Sequence, residues 1–148
     1  MVSRAAIRTI LIAGLTAGTI DIGAACLINS LPPVTILQAI ASGVLGQASF
    51  SNGAPAAALG LLLQWAMSCL IAAIYVIAAQ KLARLRRSWV AAGVAYGIVV
   101  FVVMNYVVMP LSAVGRSPSF TAEAFAGNLL AMVLFGLIIA SLDKRRSP

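Results

Sequence analysis

Ile7 to Asn29 is a mainly apolar run with one carboxylate, Asp21, inside it, and no other charged residue occurs between Arg8 and Lys81. Hydrocarbon solvates ions poorly, so a charge at a bilayer centre costs about 2.5–3.5 kcal/mol even on the mildest scales. A carboxylate held in such a run must face something other than lipid. At about 100° per residue from Gly14, Gly18 falls at about 40°, Asp21 at about −20° and Ala25 at about 20°. The four residues share one helix face. Gly14 and Gly18 form a G-x-x-x-G, the spacing that lets two helices approach closely in lipid. Asp21 is therefore expected to point into a helix bundle, and the rest of the chain must supply its partners.

Composition bounds the fold. Of 148 residues, 62% are hydrophobic and 9% charged, where a soluble domain carries about 25% charged residues. That apolar surface is too large to hide from water, so the expected fold is all-α: a single polytopic membrane domain over residues 1–148. A β-barrel would need short alternating strands, whereas these runs are long and continuous. The net charge of +7 sits at the ends of the runs. It reads as a topology signal, and without an aromatic-interleaved basic patch no nucleic-acid partner is expected. Histidine is absent, which removes the commonest metal ligand and the usual general base. No metal site and no cofactor are expected. Cys26 and Cys69 lie roughly 15 Å apart in depth, too far for a disulfide, and read as packing residues.

Four spans are expected at about 7–29, 55–79, 89–109 and 121–142. Pro32-Pro33 stops the first. Residues 34–46 carry Gln38 and Ser42 four apart and are too short to cross, since a crossing takes about 20 residues. Lacking the Lys or Arg of a surface amphipathic helix, they read as a re-entrant or interfacial helix folded onto or into the bundle mouth. Pro55 suits the first turn of the second span, on which Gln64, Ser68 and Tyr75 form one polar stripe. Lys81–Arg87 is a tight basic hairpin. Trp89 opens the third span, which carries Gly93-x-x-x-Gly97 and Asn105 and is expected to end at Pro110. Thr121 can cap the fourth, with Glu123 in its first turn and Asn128 further in. A cleaved signal peptide is the rival reading of the first run, with Gly23-Ala24-Ala25 as a small-residue cleavage site. The acidic residue, the G-x-x-x-G and the apolar character continuing to Leu31 favour its retention.

Charge then assigns sides. Arg4, Arg8, Lys81, Arg84, Arg86, Arg87, Lys144, Arg145 and Arg146 fall on one side, and Arg116 alone on the other. The positive-inside rule places both termini and the hairpin in the cytoplasm. With these sides, Asp21, Gln64 and Asn128 each lie about three residues outward of their helix midpoints, and Asn105 somewhat further. One polar residue per span thus falls at similar height in the outer half. Two readings follow. Polar side chains glue membrane helices, typically for about 0.6 kcal/mol each. Alternatively, the layer is a protonatable or cation-attracting site opening outward. Asp21 fits glue less well than the amides, because bridging does not require an ionisable group. Nucleotide, metalloprotease, redox and serine-hydrolase motifs are absent, and Gly93–Gly97 is a packing motif because it lies inside a span.

The stretches Gly18–Asp21 (GTID), Pro32–Gly46 (PPVTILQAIASGVLG) and Met104–Ser112 (MNYVVMPLS) resemble a family of small four-helix bacterial inner-membrane proteins of unknown function. The resemblance covers most of the chain, and the last two stretches are the more specific. It implies a membrane architecture and no chemistry. Family members are similar around Leu59–Leu63 but often carry His where Gln64 stands, a departure that weakens a metal or proton-relay reading there. The expected function is a small transport or permeation unit with a polar site around Asp21. Four spans leave little interior, so this unit would work as a homo-oligomer. The alternative is a structural or accessory subunit that packs against another membrane protein through its Gly-rich faces. A membrane enzyme ranks last, because paired carboxylates at one depth are missing.

Overall fold

The computed structural model describes residues 2–146. The chain forms helices α1 (Arg4–Asn29), α2 (Pro33–Leu45), α3 (Gly53–Lys81), α4 (Ala83–Arg87), α5 (Trp89–Val103), α6 (Met109–Leu111) and α7 (Ala122–Arg146). No strand occurs among the described residues. A π-helical turn, Met104–Val108, joins α5 to α6, so that Trp89–Leu111 is one rod. Helices α1, α3, the α5–α6 rod and α7 have 26, 29, 23 and 25 residues and are long and apolar enough to cross a membrane.

Local chemistry sets the ends. The Ser3 hydroxyl accepts the Ala6 N–H at 3.1 Å and caps α1. Ser30 takes a left-handed φ of 51° where α1 stops ahead of the two prolines. Thr121 caps α7, its hydroxyl accepting the Ala124 N–H at 3.2 Å. All four spans outrun their expected bounds: α1 starts at Arg4, α3 runs from Gly53 to Lys81, the rod reaches Leu111 and α7 continues to Arg146. Apolar runs mark where a helix is greasy, whereas hydrogen bonds carry it on into its charged ends.

Helix α1 packs on α3 and α7, α5 packs on α7, and α2 folds back onto α3. Small side chains make up much of the interior, beside the larger Tyr75, Phe135 and Ile139. Ala13, Ala17, Ala72, Ala79 and Ala140 are all 1% exposed or less, while Leu27 and Leu130 are 83% and 68% exposed. Small side chains allow close backbone approach, the kind of packing that membrane helices use. Gly14 lies against the backbone of Cys69 and Gly18 against Ser68, both on α3. Gly93 and Gly97 face α7, where Gly136 meets them backbone to backbone. All four motif glycines are used inside the chain.

Pro110 does not end the third span. The rod runs through it to Leu111. Proline has no N–H, and its ring crowds the carbonyl one turn back. Ahead of Pro110 the helix widens, with the Met109 N–H reaching back to the Met104 carbonyl. The wide turn lets the helix carry the proline.

Candidate functional site

The Gly14–Gly18 face presses α1 onto α3 and carries Asp21, the next residue along that face, to the same interface. Across it, Gln64 donates from Nε2 to Oδ2 of Asp21 at 2.9 Å. The same amide nitrogen lies 3.4 Å from the Gly18 carbonyl. Beside this pair, Trp65 donates from Nε1 to the Thr19 hydroxyl at 3.1 Å.

Asp21 also lies in the wall of two cavities. One, of about 180 Å³, lies between α1, the α5–α6 rod and α7, and Asn105 and Asn128 line it with Asp21. The other, of about 410 Å³, lies between α1, α2, α3 and the rod. Its polar residues include Asp21, Gln64 and Ser112, and Ile36, Ile40 and Met67 belong to its apolar wall. Met104 and Met109, at the two ends of the π turn's long hydrogen bond, line both cavities. The structure thus brings together Asp21 and Gln64 by direct contact, and Asp21, Asn105 and Asn128 around a shared space.

The asparagines do not bridge helices with their amide donors. Asn105 donates to the Phe101 carbonyl at 2.8 Å and Asn128 to the Ala124 carbonyl at 2.7 Å, each within its own helix. Among the described residues, Gln64 with Asp21 is the one member of the polar layer bonded across an interface. No Lys or Arg pairs with Asp21, since both ion pairs among the described residues go to Asp143. Nor does any cluster of three or more His, Cys, Asp or Glu side chains there offer a metal site. The site's chemistry is that of one carboxylate and three carboxamides under an aliphatic and thioether roof. Such a site can accept a proton, a hydrogen-bond donor or a cation.

Three contributors escaped the sequence reading. Gly60 lets α2 dock: a Cβ there would run into the Leu37 carbonyl oxygen. The available signal was its place one turn before Gln64 on the same face. The π turn around Asn105 had a signal in Pro110. Asp143 is the third. It is fully buried, and Oδ2 accepts from Arg86 Nε at 2.9 Å while Oδ1 lies 3.2 Å from Arg146 Nη2. Its signal was to be the sole acid among the basic segments. Conversely, Glu123 is exposed in the first turn of α7 and lines neither cavity. Cys26 and Cys69 are both free thiols.

Comparison of the chain with protein-family models, with curated proteins and with solved structures found no match.

Proposed function

We propose that the chain is a multi-pass protein of a bacterial inner membrane, and that its Asp21 site binds and passes a small cationic solute with a largely apolar body. Both termini and the α4 hairpin face the cytoplasm, and α2 covers the site on the outer side. The carrying observation is a carboxylate that meets one carboxamide, no basic side chain among the described residues, and two cavities. Asp21 is half-buried, and a partly desolvated charge without a cationic partner is costly, so a bound cation or proton would offset that cost. The π turn supports a site over glue, because such turns recur at functional positions and this one lines both cavities. The larger cavity, at about 410 Å³, falls in the size range of small-molecule sites. Binding therefore needs no interior shared between copies, although a homo-oligomer would still widen a path. The accessory reading loses the surface it named, since Gly14, Gly18, Gly93 and Gly97 are all occupied within the chain.

The test is equilibrium binding of tetraphenylphosphonium, a lipophilic cation, to the purified protein in mild detergent. Asp21→Asn keeps an acceptor for Gln64 but cannot ionise. The parent should bind saturably and the variant about tenfold or more weakly, the scale of a charged partner lost from a buried site. Equal affinity for parent and variant, with both folded, would rule the cation site out.

A further inference from the structure

At the opposite end of the bundle from Asp21, a cleft of about 600 Å³ opens between the start of α1 and the end of α7. Arg4, Arg8, Arg145 and Arg146 line it, with Ile12 and Leu142 among its apolar residues. Arg4 and Arg8 are one turn apart on one helix face, where like charges repel. They also sit at the positive end of the α1 dipole, and the first turn of α1 carries no acid to balance them. Asp143, next to the cleft's Leu142 in sequence, is fully buried and already bridges Arg86 and Arg146. Arg146 keeps a buried Nε without an acceptor among the described residues. Arg4, Arg8 and Arg145 are exposed and in no ion pair among the described residues. The cleft thus gathers four guanidinium groups on packed helices, three of which, those of Arg4, Arg8 and Arg145, have no anionic partner among the described residues.

Its floor is apolar and continues. A groove of about 480 Å³ begins at the same Arg4 and Arg8 and runs along α1 past Ile7, Leu11 and Ile12. Ile7, Leu11 and Ile12 are each more than two-fifths exposed. Positive charge above and a greasy furrow below match the two halves of one kind of molecule.

We propose that this cleft is a binding site for an anionic phospholipid, whose phosphate headgroup is held by Arg4, Arg8, Arg145 and Arg146 and whose acyl chain lies along Ile7, Leu11 and Ile12. Basic pockets between helices on the cytoplasmic side suit such headgroups. Guanidinium groups suit a phosphate particularly well, because they donate in pairs to its oxygens. The apolar groove favours a lipid over a free phosphate ion. The inference rests on the membrane reading but not on the Asp21 site.

The experiment delipidates the purified protein in mild detergent and adds back defined lipids, with bound lipid counted by native mass spectrometry. Phosphatidylglycerol should bind at low stoichiometry, and phosphatidylcholine should bind more weakly by about tenfold or more. Inorganic phosphate should not displace it at equal concentration. Replacing Arg4, Arg8 and Arg145 together by Gln should abolish the preference. Replacing Lys81, Arg84 and Arg87 together by Gln, the same charge change outside the cleft, should leave it intact. Equal loss in both triple variants would reduce the effect to general surface charge and overturn the site, as would equal binding of the two lipids by the parent. Efficient displacement by inorganic phosphate would also overturn it, in favour of a soluble anion. The lipid comparison on the parent needs no variant to fold. Failure of the membrane reading is separate: the parent would then leave the membrane fraction in an alkaline wash.

Discussion

Asp21 and Asp143 are both carboxylates in a helix bundle, and their neighbours give them opposite tasks. Asp143 is fully buried and held by two arginines, so its charge is spent inside the fold. Asp21 meets one carboxamide, opens on two cavities and has no basic partner among the described residues. Removing Asp143 would leave Arg86 and Arg146 facing each other without an anion. Asp143→Ala should therefore cost about 3 kcal/mol, the low end for breaking a buried pair because Arg86 keeps some solvent. Titration of the purified protein with SDS in mixed micelles reads this directly, and an unchanged midpoint would contradict it. Asp21 was legible in the sequence, because helical periodicity and two glycines one turn apart fix its face. Asp143 was not. Its burial depends on α7 continuing to Arg146 and on Arg86 arriving from a hairpin 57 positions away, and no local pattern carries that.

At the scale of elements, glycine placement decides which helices touch. Gly97 lies against the backbone of Met132 and Val133, with Gly136 beside it. A single methyl at Gly97 would meet main-chain atoms, which cannot rotate away. Gly97→Ala should destabilise the bundle by about 1–3 kcal/mol, the usual cost of overpacking. Gly23→Ala, where an added Cβ meets nothing within 4 Å, should be neutral or slightly stabilising. The pair can be compared by thermal unfolding in detergent, and equal shifts would contradict the packing argument. The G-x-x-x-G motifs were legible because their spacing equals one helical turn. Their partners were not, since nothing local to Gly97 points to Gly136, 39 positions later. The short helix was legible as one too short to cross. Its seat on α3 hangs on Gly60, which on its own reads only as one more small residue in a span. The π turn was missed because proline usually stops a helix, and here the widened turn ahead of it lets the rod go on.

For the whole molecule, the decisive property is the gathering of positive charge at one end. Arg86 from the hairpin meets Asp143 from the C-terminal helix. Lys144 lies 5.2 Å from the centre of the Trp89 ring. Arg4 and Arg8 share a cleft with Arg145 and Arg146. Three basic segments remote in sequence thus converge, while α2 and the start of α3 lie away from them. The sequence made this end legible through charge count alone, and the positive-inside rule expects such an end on the cytoplasmic side. Reporter fusions after Arg87 and at the C-terminus should then show cytoplasmic activity, and a fusion near Gly53 should show activity on the far side. Loss of the first span would not change these sides for the remaining three, so the test holds even where a first helix is removed. A cytoplasmic reporter at Gly53 would mean that neither α1 nor α3 crosses, or that the bundle is inverted. The hairpin fusion separates the two outcomes: it stays cytoplasmic in the first and moves outside in the second. In either case the Asp21 cavities would no longer open to the outer side, and a passage from outside to inside through α2 would have to be abandoned.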